Sequence, residues 1–107
     1  MRVLLDECVP KRLARELTGY VVRTVAQEGW SGKKNGVLLE LMSAAGFDAL
    51  LTVDQGIRYQ QNPQSAGVAV LVMFGASNQL VDLLPLVPNV LLVLKAMKPG
   101  DVVEVRG

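Results

Sequence analysis

Ala49–Leu50–Leu51–Thr52–Val53–Asp54–Gln55–Gly56 sets five apolar or β-branched residues in a row, then a carboxylate, then a glycine. A short apolar run bounded by turn residues reads as a strand buried on both faces, the signature of a parallel sheet. In open α/β sheets, ligands bind outside the carboxyl ends of the strands. Asp54 stands at that end. The same grammar occurs earlier, in Val3–Leu4–Leu5–Asp6–Glu7. Two buried strands that each run into acid at the C-terminal tip would set carboxylates side by side.

The chain has 107 residues, which suits one small domain over 1–107 with a real core and leaves no room for two. Half of the residues are hydrophobic. No run approaches the roughly 18 apolar residues of a membrane helix, so no membrane partner is expected. The most apolar stretch, Gly67 to Gly75, is strand-length. The N-terminus meets acid at Asp6, too early for a secretory signal. A single cysteine, Cys8, makes no internal disulfide and reads as a small buried residue. These features fit a cytoplasmic protein. The net charge of +1 argues against a broad electrostatic grip on nucleic acid but leaves room for a local patch. The absence of histidine excludes Ser–His and Cys–His nucleophiles, a His-ligated zinc and an imidazole base. Hydrolytic chemistry must then rest on carboxylates, lysine, or a metal held by oxygen.

Strands alternate with helices along the chain. Arg2 to Leu5 forms strand 1. Pro10 suits the first turn of a helix, Leu13 and Leu17 share one face of it, and Gly19 ends it. Tyr20 to Val25 is strand 2, followed by a polar loop around Gly29–Trp30–Ser31–Gly32, with Trp30 as its anchor on the core. Asn35 is placed to cap a second helix, whose apolar face is Leu38, Leu39, Leu41 and Met42, with Gly46 closing it. Ala49 to Val53 is strand 3, and Gly56 to Asn62 suits one or two helical turns. Val68 to Val72 is strand 4. Ser77 or Asn78 caps a helix through Leu80, Val81 and Leu84, which Pro85 and Pro88 break. Val90 to Met97 is helical, Pro99–Gly100 turns, and Val102 to Val105 is the last strand. The alternation predicts a mostly parallel central sheet with right-handed crossovers, in a three-layer α/β/α sandwich.

Ten acids are few enough to weigh one by one. Glu16, Glu28 and Glu104 read as solvated, Asp82 suits the first turn of a helix, and Asp48 and Asp101 serve turns. Asp6, Glu7, Glu40 and Asp54 are left. Clustered carboxylates repel unless a cation offsets them. Mg²⁺ or Mn²⁺ suits one or two carboxylates plus waters, and polarises a phosphodiester while activating water. The competing reading is that Asp6 and Asp54 only brace the turns after their strands. Glu40 is either an exposed helix position or, with Asn35, aimed at the site; the sequence does not choose. Arg58–Tyr59–Gln60–Gln61–Asn62 reads either as a substrate rim, with arginine for phosphate and tyrosine for a base, or as a polar surface turn. Lys11–Arg12–Arg15 and Lys33–Lys34 either add positive charge around the cleft or are solvated faces.

These residues resemble the PIN-like nuclease superfamily, in particular a small bacterial branch met as the toxin of toxin–antitoxin pairs. The matching pieces are Leu4–Leu5–Asp6–Glu7–Cys8–Val9–Pro10, Gly29–Trp30–Ser31–Gly32, Asn35–Gly36–Val37–Leu38–Leu39, Phe47–Asp48–Ala49–Leu50–Leu51–Thr52–Val53–Asp54 and Arg58–Tyr59–Gln60–Gln61–Asn62. They stand in family order over a little under two thirds of the chain. The resemblance implies a metal-dependent endoribonuclease with Asp6 and Asp54 holding Mg²⁺ or Mn²⁺, assisted by Glu7. Asn35, Arg58, Tyr59 and Gln60 would serve the RNA substrate, and a small antitoxin would be the partner. Two departures stand out: relatives commonly carry aspartate at the position of Asn35, and many carry an acid at that of Gly56. The lost charge motivates an alternative, a PIN-like module that binds RNA or a protein partner without cleaving. A receiver-like phosphorylation domain also gathers acids at strand tips, but Val72–Met73–Phe74–Gly75 lacks the lysine it needs. The apolar stretch Leu80 to Met97 exceeds the core face of one short helix, which leaves surface for a homodimer or an antitoxin groove.

Overall fold

The computed structural model describes residues 1–56 and 66–106. Five strands form one sheet: β1 (Arg2–Leu5), β2 (Val21–Thr24), β3 (Ala49–Thr52), β4 (Ala69–Phe74) and β5 (Val102–Arg106), in the order β2-β1-β3-β4-β5. Every pairing is parallel. The central strands are buried on both faces, as their unbroken apolar runs require: β3 is wholly inaccessible to solvent, and β4 is buried up to Met73.

The period of two divides the apolar residues cleanly. Leu4, Leu50, Val70 and Val72 point to one face, covered by Leu38, Leu39 and Met42 of α1 (Asn35–Ala45). Val3, Leu5, Leu51, Leu71 and Met73 point to the other. That face is covered by a 3₁₀ segment (Lys11–Glu16) through Leu13, and by α2 (Leu80–Leu83), a 3₁₀ turn (Leu84–Leu86) and α3 (Val87–Ala96). Truncating one such leucine to alanine typically costs about 2–5 kcal/mol.

Several local expectations are corrected. The Pro10–Leu17 stretch is a 3₁₀ helix, with Pro10 at its cap rather than in its first turn. Residue Lys34, not Asn35, precedes α1 as its cap; Asn35 is the first helical residue, and its side chain lies outside the described residues. Gly46 closes α1 as expected, at φ 80°. Gln79 caps α2, although Ser77 accepts the Gln79 N–H at 3.0 Å and bonds Asp82. Pro88 begins α3 instead of breaking a helix, since a first-turn proline lacks only an N–H that would go unused. The turns expected over Gly56–Asn62 lie, beyond Gly56, outside the described residues.

The crossovers do not share one hand. From β1 the chain steps outward to β2 over the face covered by the 3₁₀ segment, then steps back past β1 to β3 over the α1 face. Opposite directions over opposite faces give the same hand. The step from β4 to β5 follows the direction of β2 to β3 but runs over the first face, so its hand is opposite. Uniform right-handedness, the strong rule for such units, is therefore broken in this connection. Beside Leu13 and Leu17, Leu83, Leu86, Val90 and Leu94 from the chain between β4 and β5 share that face with Leu51, Leu71 and Met73.

Among the described residues no helix is long and apolar enough to cross a membrane.

Candidate active site

The strand order reverses direction between β1 and β3: the connection leaving β1 goes one way, and those leaving β2 and β3 go the other. In doubly wound sheets that crevice is where ligands bind. Its two walls end in Asp6 and Asp54.

Register brings the walls together. Leu5 pairs with Leu51, and the Asp6 N–H extends the ladder to the Leu51 carbonyl at 3.0 Å. One step further, Asp6 comes beside Thr52. Thr52 shares the parity of Leu50 and so lies on the α1 face, while Asp6 and Asp54 stand just past the ends of β1 and β3. Thr52 is the one wholly buried polar side chain among the described residues. Its hydroxyl meets the Asp6 carboxylate at 2.7 Å and accepts the Asp54 N–H at 3.0 Å. An ionised carboxylate only accepts, so the hydroxyl proton points to Asp6. The Cys8 thiol lies 3.6 Å from the same hydroxyl and is left to donate to it.

Each aspartate also braces its own turn. Asp6 accepts the Glu7 N–H at 2.8 Å, and Asp54 accepts the Gly56 N–H at 3.0 Å. Both are half-buried. A carboxylate has about four lone-pair sites, so neither bond saturates its group. Glu7 is exposed, and its carboxylate accepts the Gly32 N–H at 2.7 Å. This ties β1's tip to the 25–34 loop. Gly32 adopts φ 80° there, a left-handed conformation that glycine takes without strain. Trp30 anchors the loop as expected, edge-on to Phe47 with centroids 5.8 Å apart.

α1 runs back from this same end of the sheet. Its N-cap residue, Lys34, makes no side-chain cap bond, and the helix dipole favours negative charge at the tip. A hollow of about 340 Å³ lies beside Asp6 and Glu7, on the β2 side.

Cys8 is exposed rather than buried, because the turn after β1 carries it outward. Its thiol pKa is raised, first by desolvation among its neighbours and further by the negative charge of Asp6. Glu40 is exposed on the outer face of α1, which decides for the surface reading. Glu28 and Glu104 are not simply solvated: Glu28 pairs with Arg23 at 2.8 Å and Glu104 with Arg106 at 2.9 Å. Arg58, Tyr59 and Gln60, with Gln61 and Asn62, lie outside the described residues. Sequence reasoning counted Thr52 only as a β-branched strand former. Its signal was available: a lone polar residue inside a run buried on both faces must bond something.

Among the described residues no group of three or more cysteine, aspartate or glutamate side chains is arranged to hold a metal. The pair of aspartates still fits a hard cation by donor chemistry, since Mg²⁺ takes one or two carboxylates and keeps its waters. No family model, curated protein or solved structure matches the chain.

Proposed function

We propose that this chain is a Mg²⁺- or Mn²⁺-dependent endoribonuclease of the PIN-like kind, the toxin of a toxin–antitoxin pair. One arrangement supports the reading: at the crevice where the strand order reverses, one buried hydroxyl bonds the carboxylate of Asp6 and the backbone of Asp54. Asp6 and Asp54 would hold the cation. Bound there, it supplies Lewis acidity to a phosphoryl oxygen and eases deprotonation of water. Thr52 keeps the Asp6 carboxylate in one orientation, and the Gly56 N–H does the same for Asp54. Glu7 holds the 25–34 loop against the tip, and the α1 N-terminus favours the phosphodiester charge. In this reading Asn35, Arg58, Tyr59 and Gln60 contact RNA. The antitoxin would cover the apolar groove of about 480 Å³ formed by Tyr20, Pro88, Leu91 and Leu92, where Leu92 is 66% exposed.

The test is cleavage of RNA with Mn²⁺ by wild type, Asp6→Asn and Asp54→Asn. Loss of cleavage in both variants is expected. Equal rates in all three, with contaminating nucleases excluded, refute the proposal.

A second reading, a binding module without catalysis, is favoured by the turn-bracing bonds that both aspartates make. Mn²⁺ titration separates the two. Saturable binding near millimolar concentration supports the nuclease, and its absence supports the module.

A further inference from the structure

We propose that the groove between the 3₁₀ segment and β2 carries the sugar–phosphate backbone of a nucleic-acid strand leading to the tip, with Arg12 and Arg15 as successive phosphate contacts. The proposal deepens the nuclease reading by assigning residues that position the substrate, and its test stands apart from catalysis. The groove has a volume of about 580 Å³ and is lined by Lys11, Arg12 and Arg15 facing Val22, Thr24 and Gln27, with no acidic residue in its lining. All three cations are exposed. None of them makes an ion pair with a described residue. Like charges crowded on one wall repel, and a polyanion relieves that repulsion.

The helix type sets the spacing. In a 3₁₀ helix, residues i and i+3 eclipse and are separated by about 6 Å along the axis, at roughly 2.0 Å per residue. Arg12 and Arg15 therefore form a straight row whose pitch is of the order of the phosphate repeat along one strand. Leu13 and Leu17, both fully buried, pin the row to the core. The groove also leads to the acids, because Lys11, Thr24 and Ala26 line both it and the hollow beside Asp6 and Glu7. That continuity favours a strand passing the tip over an acidic peptide, which would have no reason to end there. The lining offers no aromatic side chain to stack bases, so the contact reads backbone rather than sequence.

The experiment is fluorescence anisotropy of a labelled oligouridine with the full chain in EDTA, so that no cleavage intervenes, across a salt series. Arg12→Gln/Arg15→Gln is expected to weaken binding about tenfold or more and to flatten the log–log salt slope by about 1.4, near 0.7 per lost contact on a single strand. Arg12→Lys/Arg15→Lys is expected to restore the slope. An unchanged slope in the glutamine variant overturns the proposal, as does polyglutamate binding more tightly than oligouridine with the same dependence on Arg12 and Arg15. Hydrolysis of bis-p-nitrophenyl phosphate with Mn²⁺ separates the two ideas. Arginine-dependent RNA binding without any hydrolysis by wild type would leave the groove standing and remove the nuclease.

Discussion

Replacing Thr52 with valine removes one hydroxyl and almost nothing else, because the two side chains are nearly isosteric. That hydroxyl donates to Asp6 at 2.7 Å and accepts the Asp54 N–H at 3.0 Å. A hydrogen bond to a charged group contributes about 1.5–3 kcal/mol, and the half-exposed Asp6, which water partly serves, puts it at the low end. An N–H left without its acceptor costs about 1 kcal/mol more. A methyl in place of the hydroxyl in an apolar setting returns about 0.8 kcal/mol. The net loss should be about 2 kcal/mol, or roughly 10 °C in Tm for a domain of this size. A double-mutant cycle with Asp6→Ala, followed by urea and thermal unfolding, isolates the link. The double variant should lose about 1 kcal/mol less than the two single losses combined, since its second substitution removes a bond already broken. In the nuclease reading, Thr52→Val also weakens Mn²⁺ binding about tenfold, as loss of a group orienting a metal ligand typically does. Additivity within about 0.5 kcal/mol, with Mn²⁺ affinity unchanged, would refute the claim that Thr52 fixes Asp6.

Gly75→Ala should destabilise the fold by about 1–3 kcal/mol, because an added Cβ would sit 2.9 Å from the Asp82 carbonyl oxygen and 3.0 Å from that of Ser77, both backbone atoms with little room to yield; an unchanged urea midpoint would show that the turn after β4 can open. Cys8 gives a pH signature. Its native pKa is raised, so the unfolded chain gives up the thiol proton first, and stability should fall as pH rises from about 8.5 toward the native value. Below that window the contribution is fully present. Unfolding under reducing conditions from neutral to alkaline pH should show the slope in wild type and lose it in Cys8→Ser; identical slopes would remove the thiol as its cause.

The strands were legible because burial on both faces writes an apolar run that little else produces, and all five fall within two residues of their expected bounds. The helix ends were less so. Pro10 and Asn35 have the right chemistry for first-turn and cap positions, yet each sits one place from the role expected, since boundaries depend on where packing stops the chain. The hand of the last crossover was not legible at all. No local pattern records which sheet face a connection will cross, since both faces of β4 are apolar. At the site, Asp6 and Asp54 announced themselves through position. Thr52 did not, because β-branching explained its presence in a strand before its hydroxyl needed a partner.

The bracing role of the two aspartates and their proposed role as ligands are not alternatives that divide the same atoms. A carboxylate that is to meet a cation must first be held still, or the entropy of ordering it is charged against binding. Asp6 is held through one oxygen by Thr52 and through the other by the Glu7 N–H, and Asp54 by the Gly56 N–H. Three short bonds from the protein's own backbone and hydroxyls orient both groups. What distinguishes a brace from a ligand is therefore not the presence of these bonds but the effect of the opposite charge. A pure brace loses stability when Asp6 becomes asparagine, because the amide oxygen keeps one of the two bonds and the NH2 group cannot accept the other. A ligand pair differs in its response to metal: Mn²⁺ should stabilise wild type, and Asp6→Asn should abolish that stabilisation. Wild type that gains nothing from Mn²⁺, beside an Asp6→Asn variant that only loses stability, would assign both carboxylates to the turns alone.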